Sequence, residues 1–341
     1  MRLAVLRPQV PFARGGAEIF TDTLVDELRA RGHEADLVSV PFKWYPGARV
    51  LTQAFLWRML DLEEADGRTI DVVVPTKFPS YLVRHRDKRV WLVHQFRQAY
   101  ELDRTELAQF GSSPEDRALR RKVQELDRIA LGEATRLFAT SRNVAGRIEA
   151  STGLAAEVLP HPPQELDYRC QGYGDFVLSV NRLDRAKRID LLLEAVARDA
   201  ALDVVIAGDG PDRSRLEQLA HDRGLNGRAR FAGRVSEGEL ADLYARCLAV
   251  YYAPVDEDYG MVPLEAFLAE KPVLTTTDAG GPLEVVADGS TGLVVTPDAA
   301  EIASALGWLR EHRDEAASYG RAGKAIASEV TWDRAIAKLL A

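Results

Sequence analysis

The chain lacks most of the features that would decide its class at once. Its 341 residues include only two cysteines, Cys170 and Cys247, too few for a disulfide framework or a thiolate metal site. No apolar run approaches the ~18–20 residues that cross a bilayer. Arg7 and Pro8 break the first apolar stretch before it could act as a secretory leader, so a cytoplasmic location is expected. Lysine is scarce, eight of the 44 basic residues, a usage that reads as a G+C-rich, bacterial coding bias rather than as function. No G-x-G-x-x-G follows either leading strand, which disfavours a dinucleotide-dependent oxidoreductase. Neither half is basic enough for nucleic acid to be the main ligand.

What is present is a long, mixed, globular composition, 46% hydrophobic and 28% charged, enough for two domains with a core each. The charge is uneven: residues 1–162 carry 24 Lys and Arg against 22 Asp and Glu, and residues 163–341 carry 20 against 30. Short apolar runs alternate with helical patterns throughout. In the first half the runs are RLAVL (2–6), ADLVSV (35–40), IDVVVP (70–75), VWLVH (90–94) and RLFATS (136–141). The rhythm restarts with DFVLSV (175–180), LDVVIAG (202–208), ARFAG (229–233), LAVYYAP (248–254), PVLTT (272–276) and GLVVT (292–296). Strands alternating with helices imply parallel sheets covered on both faces. The proline-containing stretch 160–174 reads as the linker. The expectation is therefore α/β, with two Rossmann-like domains, 1–162 and 163–331, facing a central cleft. In such sheets ligands bind at the carboxyl ends of the strands, so the residues just after each run matter most.

The strongest of these is DEDYGMVPLEAFLAEKPVLTT (256–276). Gly260 and Pro263 mark a helix beginning near Met261, whose free amides suit phosphate or sugar oxygens. Glu257 precedes that helix and Glu265 is expected in its first turn. Both carboxylates would then face one ligand, and two acceptor-only groups suit a polyhydroxylated molecule. In SVNRLDRAKRIDLLLEA (179–195), Arg182 and Lys187 follow a strand and flank a helix start, where cations oppose the helix dipole and so suit a diphosphate. Arg185 and Arg188 read as surface charge. Gly15 and Gly16 let the backbone between the first strand and its helix approach an anion closely. His94 ends a strand and opens toward hydrogen bonding with a hydroxyl. The stretch with Arg84, Arg86, Lys88, Arg89, Arg97 and Arg104, with the aromatics Phe42, Trp44, Tyr45, Phe55 and Trp57 of segment 42–60, allows peripheral contact with a membrane or a lipid-linked molecule; a solvated face and an ordinary core helix are the commoner outcome of such a pattern.

Together these residues resemble a family. Gly15-Gly16-Ala17-Glu18, Asn181-Arg182-Leu183 with Lys187, Phe231-Ala232-Gly233-Arg234-Val235, the Glu257/Glu265 pair and Gly280-Gly281-Pro282-Leu283-Glu284 are similar to the family 4 retaining glycosyltransferases. The resemblance implies a GT-B fold, a nucleoside-diphosphate sugar (GDP- or UDP-linked) as co-substrate and no other cofactor. It implies that Arg182 and Lys187 bind the donor diphosphate, Glu265 the ribose and Glu257 the transferred sugar. Backbone amides of Tyr259, Gly260, Met261 and Val262 would hold sugar hydroxyls and phosphate. Gly233, Arg234 and Val235 would flank the base, Gly15 and Gly16 would close on the diphosphate, and His94 would sit near the sugar. It also implies that a last helix, about 332–341, crosses back onto the first domain. Asn181 and Arg188 stand where the family often has glycine, and Tyr259 where phenylalanine is frequent.

The acceptor would be a glycan, a lipid-linked sugar or a small molecule. With Arg182, Lys187 and the helix start carrying the diphosphate charge, no metal is expected. A rival reading takes Asp256-Glu257-Asp258 as a D-x-D metal site of the other large transferase fold. The same residues are also compatible with a nucleotide-sugar epimerase or phosphorylase of this fold, and with a non-catalytic nucleotide-sugar-binding partner of another transferase.

Overall fold

A computed structural model describes residues 1–12, 15–102, 108 and 110–341; Arg104 of the basic stretch lies outside them. The chain divides into two compact units, residues 1–161 with 332–341, and residues 162–331.

In the first unit β1 (Arg2–Gln9), α1 (Gly16–Ala30), β2 (Glu34–Pro41) and α2 (Arg49–Met59) are followed by the short hairpin β3 (Glu64–Ala65) and β4 (Arg68–Thr69). Then come β5 (Val72–Pro75), β6 (Arg89–Leu92), α3 (Pro114–Gly132), β7 (Arg136–Ala139), α4 (Arg142–Thr152) and β8 (Glu157–Val158). The strands form two parallel three-stranded sheets, β2-β1-β5 and β6-β7-β8. Parallel bridges Val73–Lys88 and Lys77–His94 join them edge to edge. The hairpin and β8 are too short and too polar to stand out in the sequence.

Local sequence accounts for the helix ends. Ser113 and Ser141 cap α3 and α4 by accepting from the amides of Asp116 and Val144, and Pro114 occupies the first position of α3. α1 stops at Gly32, which holds the left-handed φ of 81° that favours glycine.

The second unit contains β9 (Phe176–Val180), α5 (Ile189–Val196), β10 (Asp203–Ala207), α6 (Arg213–Asp222), β11 (Ala229–Gly233) and α7 (Glu237–Arg246). It continues with β12 (Ala249–Tyr251), α8 (Met261–Leu268), β13 (Val273–Thr276), β14 (Gly292–Val295), α9 (Ala299–Glu311) and α10 (Arg313–Ala327). All six strands are parallel in the order β11-β10-β9-β12-β13-β14, the doubly wound arrangement whose order reverses between β9 and β12. One face buries Leu192, Leu193, Ile206 and Ile302; the other buries Leu178, Val250, Leu264 and Phe267.

The last helix, α11 (Trp332–Leu340), belongs to the first unit. Its Trp332, Ala335, Ile336 and Leu339 join Leu3, Val5, Phe20 and Trp91 in one cluster, and Arg89 donates to the carbonyl of Leu339 at 2.9 Å.

Candidate functional site

The reversal of strand order in the second unit brings the loop after β9 beside the loop after β12. Lys187, closing the 3-10 turn Arg185–Lys187, ion-pairs with the carboxylate of Glu257. Tyr252, immediately after β12, donates its hydroxyl to Glu257 Oε2 at 3.2 Å and lies 3.5 Å from Lys187 Nζ. Burial alone would lower the Lys187 pKa; Tyr252 and Glu257 outweigh it and hold the ammonium above its ordinary value. Tyr252 carries no signal in the sequence beyond its place in an apolar run. Arg182 is exposed beside this pair, and its guanidinium makes no hydrogen bond or salt bridge among the described residues. Neighbouring Asp184 is driven up by burial, against the pull of Lys187 and Arg182.

The helix start is where the sequence puts it. α8 begins at Met261 with Gly260 at its cap, no side chain capping its amides and no acid in its first turn. Gly260 has φ 81°, and a Cβ there would lie 2.9 Å from the Tyr252 ring and 3.1 Å from Pro282. The amides of Met261 and Val262 therefore open onto the loop carrying Glu257 and Tyr259.

Two expectations need correction. Glu265 lies one turn further into α8, not in its first turn, because the helix starts at Met261 itself. It is 8% exposed, with the Tyr244 hydroxyl donating to it at 2.6 Å. Burial raises its pKa, partly opposed by Tyr244. Arg188 is not surface charge. Its guanidinium donates to the carbonyls of Ala253 and Pro254, to Thr276 and to both oxygens of Asp278.

Gly233 ends β11 with φ 67°, and its carbonyl accepts from the amide of Gly208 at 2.7 Å. Arg234 is exposed and Val235 half-buried in the turn that follows. Asp258 is buried. Among the described residues no group of three or more His, Cys, Asp or Glu side chains is arranged to hold a metal ion.

In the first unit the strand order reverses between β1 and β5. Gly15 and Gly16 open α1 there, and the Glu18 carboxylate accepts from the Gly15 amide at 3.0 Å. Its other oxygen accepts from Lys77 at 2.7 Å, both side chains largely buried. Lys77 is not legible in the sequence: a single lysine two positions beyond an apolar run, with nothing local to mark it. It bridges by its backbone to half-buried His94, whose Nδ1 lies 2.6 Å from the Gln95 carbonyl.

The basic stretch is dispersed rather than pooled. Lys88 is fully buried, donating to the carbonyls of Tyr81, Val83 and Ala130 and pairing with Glu133. Arg89 pairs with Asp87, Arg86 with Glu63 and Arg97 with Glu101; Arg84 is exposed. Of the aromatics, Trp57 is core and Phe42 packs against the core, whereas Trp44, Tyr45 and Phe55 are exposed. No helix among the described residues is long and apolar enough to cross a membrane.

Residues 171–326 match the sequence model of the family described as glycosyl transferases group 1. The GDP-mannose-dependent alpha-(1-6)-phosphatidylinositol monomannoside mannosyltransferase of Mycobacterium tuberculosis is 35% identical over 176 residues, 48% of this chain and 46% of that protein. The chain spans less than half the length of the curated relatives it first matches. Among solved structures, sucrose-phosphate synthase from Thermosynechococcus elongatus superposes with a TM-score of 0.80 at 19% identity, covering 99% of this chain and 97% of that one. Anabaena HepE in complex with UDP-glucose gives 0.71 at 18% identity, covering 99% and 98%. The chain thus has the GT-B fold, and its residues 171–326 are similar to the glycosyl transferases of group 1.

Proposed function

We propose that this protein transfers a sugar, with retention at the anomeric carbon, from a nucleoside diphosphate sugar to a hydroxyl acceptor in bacterial glycan or glycoconjugate synthesis. One observation carries the reading. At the switch point of the second unit, Arg182, without a hydrogen bond or salt bridge among the described residues, a lysine–glutamate pair and an uncapped helix start come together in the region that matches the family model.

The chemistry asked for is departure of a nucleoside diphosphate from a sugar carbon. Arg182, Lys187 and the amides of Met261 and Val262 supply fixed positive charge for the developing negative charge on the leaving phosphate. Glu257, held by Lys187 and Tyr252, accepts from sugar hydroxyls. Glu265, braced by Tyr244, accepts from the ribose, and the turn at Gly233, Arg234 and Val235 flanks the base. Gly15, Gly16 and His94 take their roles from the family resemblance: the glycines beside the diphosphate, the histidine beside the sugar. The leaving phosphate itself takes the acceptor's proton on the face it vacates, so no protein general base is required. With the Glu257 carboxylate already engaged by an ammonium, a divalent cation would have to displace Lys187; the reaction is therefore metal-independent.

The relative of 35% identity is named for GDP-mannose and a solved neighbour holds UDP-glucose, so GDP and UDP are the bases to test. The exposed apolar face of α2 supports an acceptor met at a membrane surface. Calorimetric titration with GDP, UDP and ADP, each with and without EDTA, tests the donor site. Tight binding of one diphosphate, unchanged by EDTA and lost in Arg182→Ala/Lys187→Ala, is expected. Binding that survives the double substitution would remove these residues from the donor site, and binding that EDTA abolishes would restore a metal to it.

A further inference from the structure

Arg188 is an oddity on two counts. It holds a left-handed backbone, φ 49° and ψ 43°, a region that disfavours any side chain with a Cβ. And its long side chain, directly after Lys187, turns away from solvent to reach residues far along the chain. Nε donates to the Ala253 carbonyl at 2.9 Å and Nη2 to the Pro254 carbonyl at 2.7 Å. The fork grips Asp278 through Nη1 at 2.9 Å and Nη2 at 2.8 Å, and Nη2 also donates to Thr276 at 3.1 Å. Asp278 in turn accepts from Thr276 at 2.9 Å.

These contacts lash together the loops after β9, β12 and β13. The strap from Ala253 to Glu257 is bonded on both sides. Val255 donates its amide to Ala186 at 2.8 Å; Asp256 and Glu257 donate theirs to Asp278 and Ala279 at 2.9 and 2.7 Å. The amide of Gly281 returns a bond to the Glu257 carbonyl at 2.8 Å. Within this lattice Arg188 satisfies the strap's carbonyls and the β13 loop's carboxylate at once. Its neighbour Lys187 holds the Glu257 carboxylate.

We propose that Arg188 is a positioning residue: its planar fork fixes the 253–257 strap, and with it Glu257, against the Asp278 loop so that the sugar-binding carboxylate is presented in one place. The proposal rests on the reading of Glu257 given above. Only a bidentate, five-donor side chain can do this from one backbone position. A glycine would relieve the backbone conformation but leave the strap's carbonyls and Asp278 without their donor.

Arg188→Gly tests it, because the substitution removes the clamp without adding backbone strain. Two readouts are needed. The first is amide hydrogen exchange of segments 253–259 and 276–281, which needs no ligand. Exchange there should accelerate ~10-fold or more in Arg188→Gly while α5 and α9 keep their protection. Unchanged exchange overturns the clamp whatever the protein binds. The second is release of nucleoside diphosphate from GDP-mannose and from UDP-glucose, alongside calorimetry with GDP and UDP. In Arg188→Gly the turnover number should fall ~10-fold or more, with the diphosphate dissociation constant changed less than ~3-fold. Arg188→Lys, a point charge without the fork, should rescue little of it. A native turnover number in Arg188→Gly, or full rescue by lysine, overturns the positioning role. If the unsubstituted protein binds neither GDP nor UDP, it is the donor reading that fails, and the exchange experiment still decides the clamp.

Discussion

Two ionisable residues, the largely buried Lys187 of the second unit and the fully buried Asp127 of the first, show how differently burial can act. Lys187 is charged and neutralised in place by Glu257. Asp127 on α3 is fully buried with no cation beside it among the described residues; it accepts from Tyr81 and Tyr100 at 2.7 Å and from Gln95 at 3.3 Å. Burial drives its pKa up to about 7, with the two tyrosines and the glutamine opposing. The unfolded chain would release that proton near the ordinary ~3.9. Between those values the folded state keeps a proton that the unfolded state has lost, so the stabilisation is complete below about pH 4 and is lost as pH rises to about 7. Asp127→Asn, which cannot ionise, should abolish the dependence. The stability of the native protein relative to the variant should fall by up to ~1.4 kcal/mol per pH unit across that window. Urea unfolding at pH 5 and pH 7, followed by tryptophan fluorescence, measures it; four of the five tryptophans lie in the first unit. A difference that stays flat with pH would show that Asp127 is ionised in the folded protein. Asp127 also holds Gln95, next to His94, and nothing in the sequence marks it, since a lone acid in a helical pattern looks like any solvated one.

At the scale of elements, period and punctuation are legible while orientation is not. The start of α8 can be read from Gly260 and Pro263, and the strand ends from the apolar runs, because both depend on residues within a turn. Arg188 is misread because its partners on the 253–278 loops lie 65 to 90 residues away, and no local pattern encodes such contacts; the bond from Tyr244 to Glu265, 21 residues off, is hidden for the same reason. α2 is the same case in reverse. Its large apolar residues fall on two faces, Val50 and Trp57 on one and Phe55, Leu56 and Met59 on another, so its sequence cannot say which is buried. The structure buries Val50, Ala54 and Trp57 and leaves Phe55 62% and Met59 66% exposed, with Leu56 beside them. Segment 42–60 carries Lys43, Arg49 and Arg58 and no carboxylate. An outward stripe of large apolar side chains on a cationic segment matches the chemistry of an anionic bilayer surface. The protein should therefore co-sediment with vesicles containing phosphatidylglycerol and much less with pure phosphatidylcholine. Phe55→Ser/Met59→Ser should weaken the binding ~10-fold or more, as two lost apolar insertions would. Equal sedimentation of the double variant would send the contact elsewhere or make it purely electrostatic.

For the whole molecule the decisive feature is the path of the chain. The first unit is completed only by α11, which is made after the entire second unit. Its Trp332, Ala335, Ile336 and Leu339 are all buried, with Trp332 stacked 6.2 Å from Phe20 and packed edge-on to Trp91. Lys338 and Arg89 add bonds to the carbonyls of Val158 and Leu339. Four apolar side chains at ~1.5–3 kcal/mol for each large one contribute on the order of 5 kcal/mol, comparable to the whole stability of many domains. The second unit keeps both faces of its sheet covered by α5 to α10 and takes no core residue from α11. Deleting residues 332–341 should therefore split unfolding into two calorimetric transitions. The lower would belong to the first unit, with the loss of near-ultraviolet signal from Trp57 and Trp91. The upper would stay close to the native one, and binding of the nucleoside diphosphate should survive to the extent that the second unit alone supplies its contacts. A single transition shifted as a whole would instead mean that the two units unfold as one cooperative body, with α11 stabilising both. The chain's return then ties the order of synthesis to folding: the unit bearing Gly15 and His94 cannot bury its full core until the unit bearing Lys187 and Glu257 has already been made.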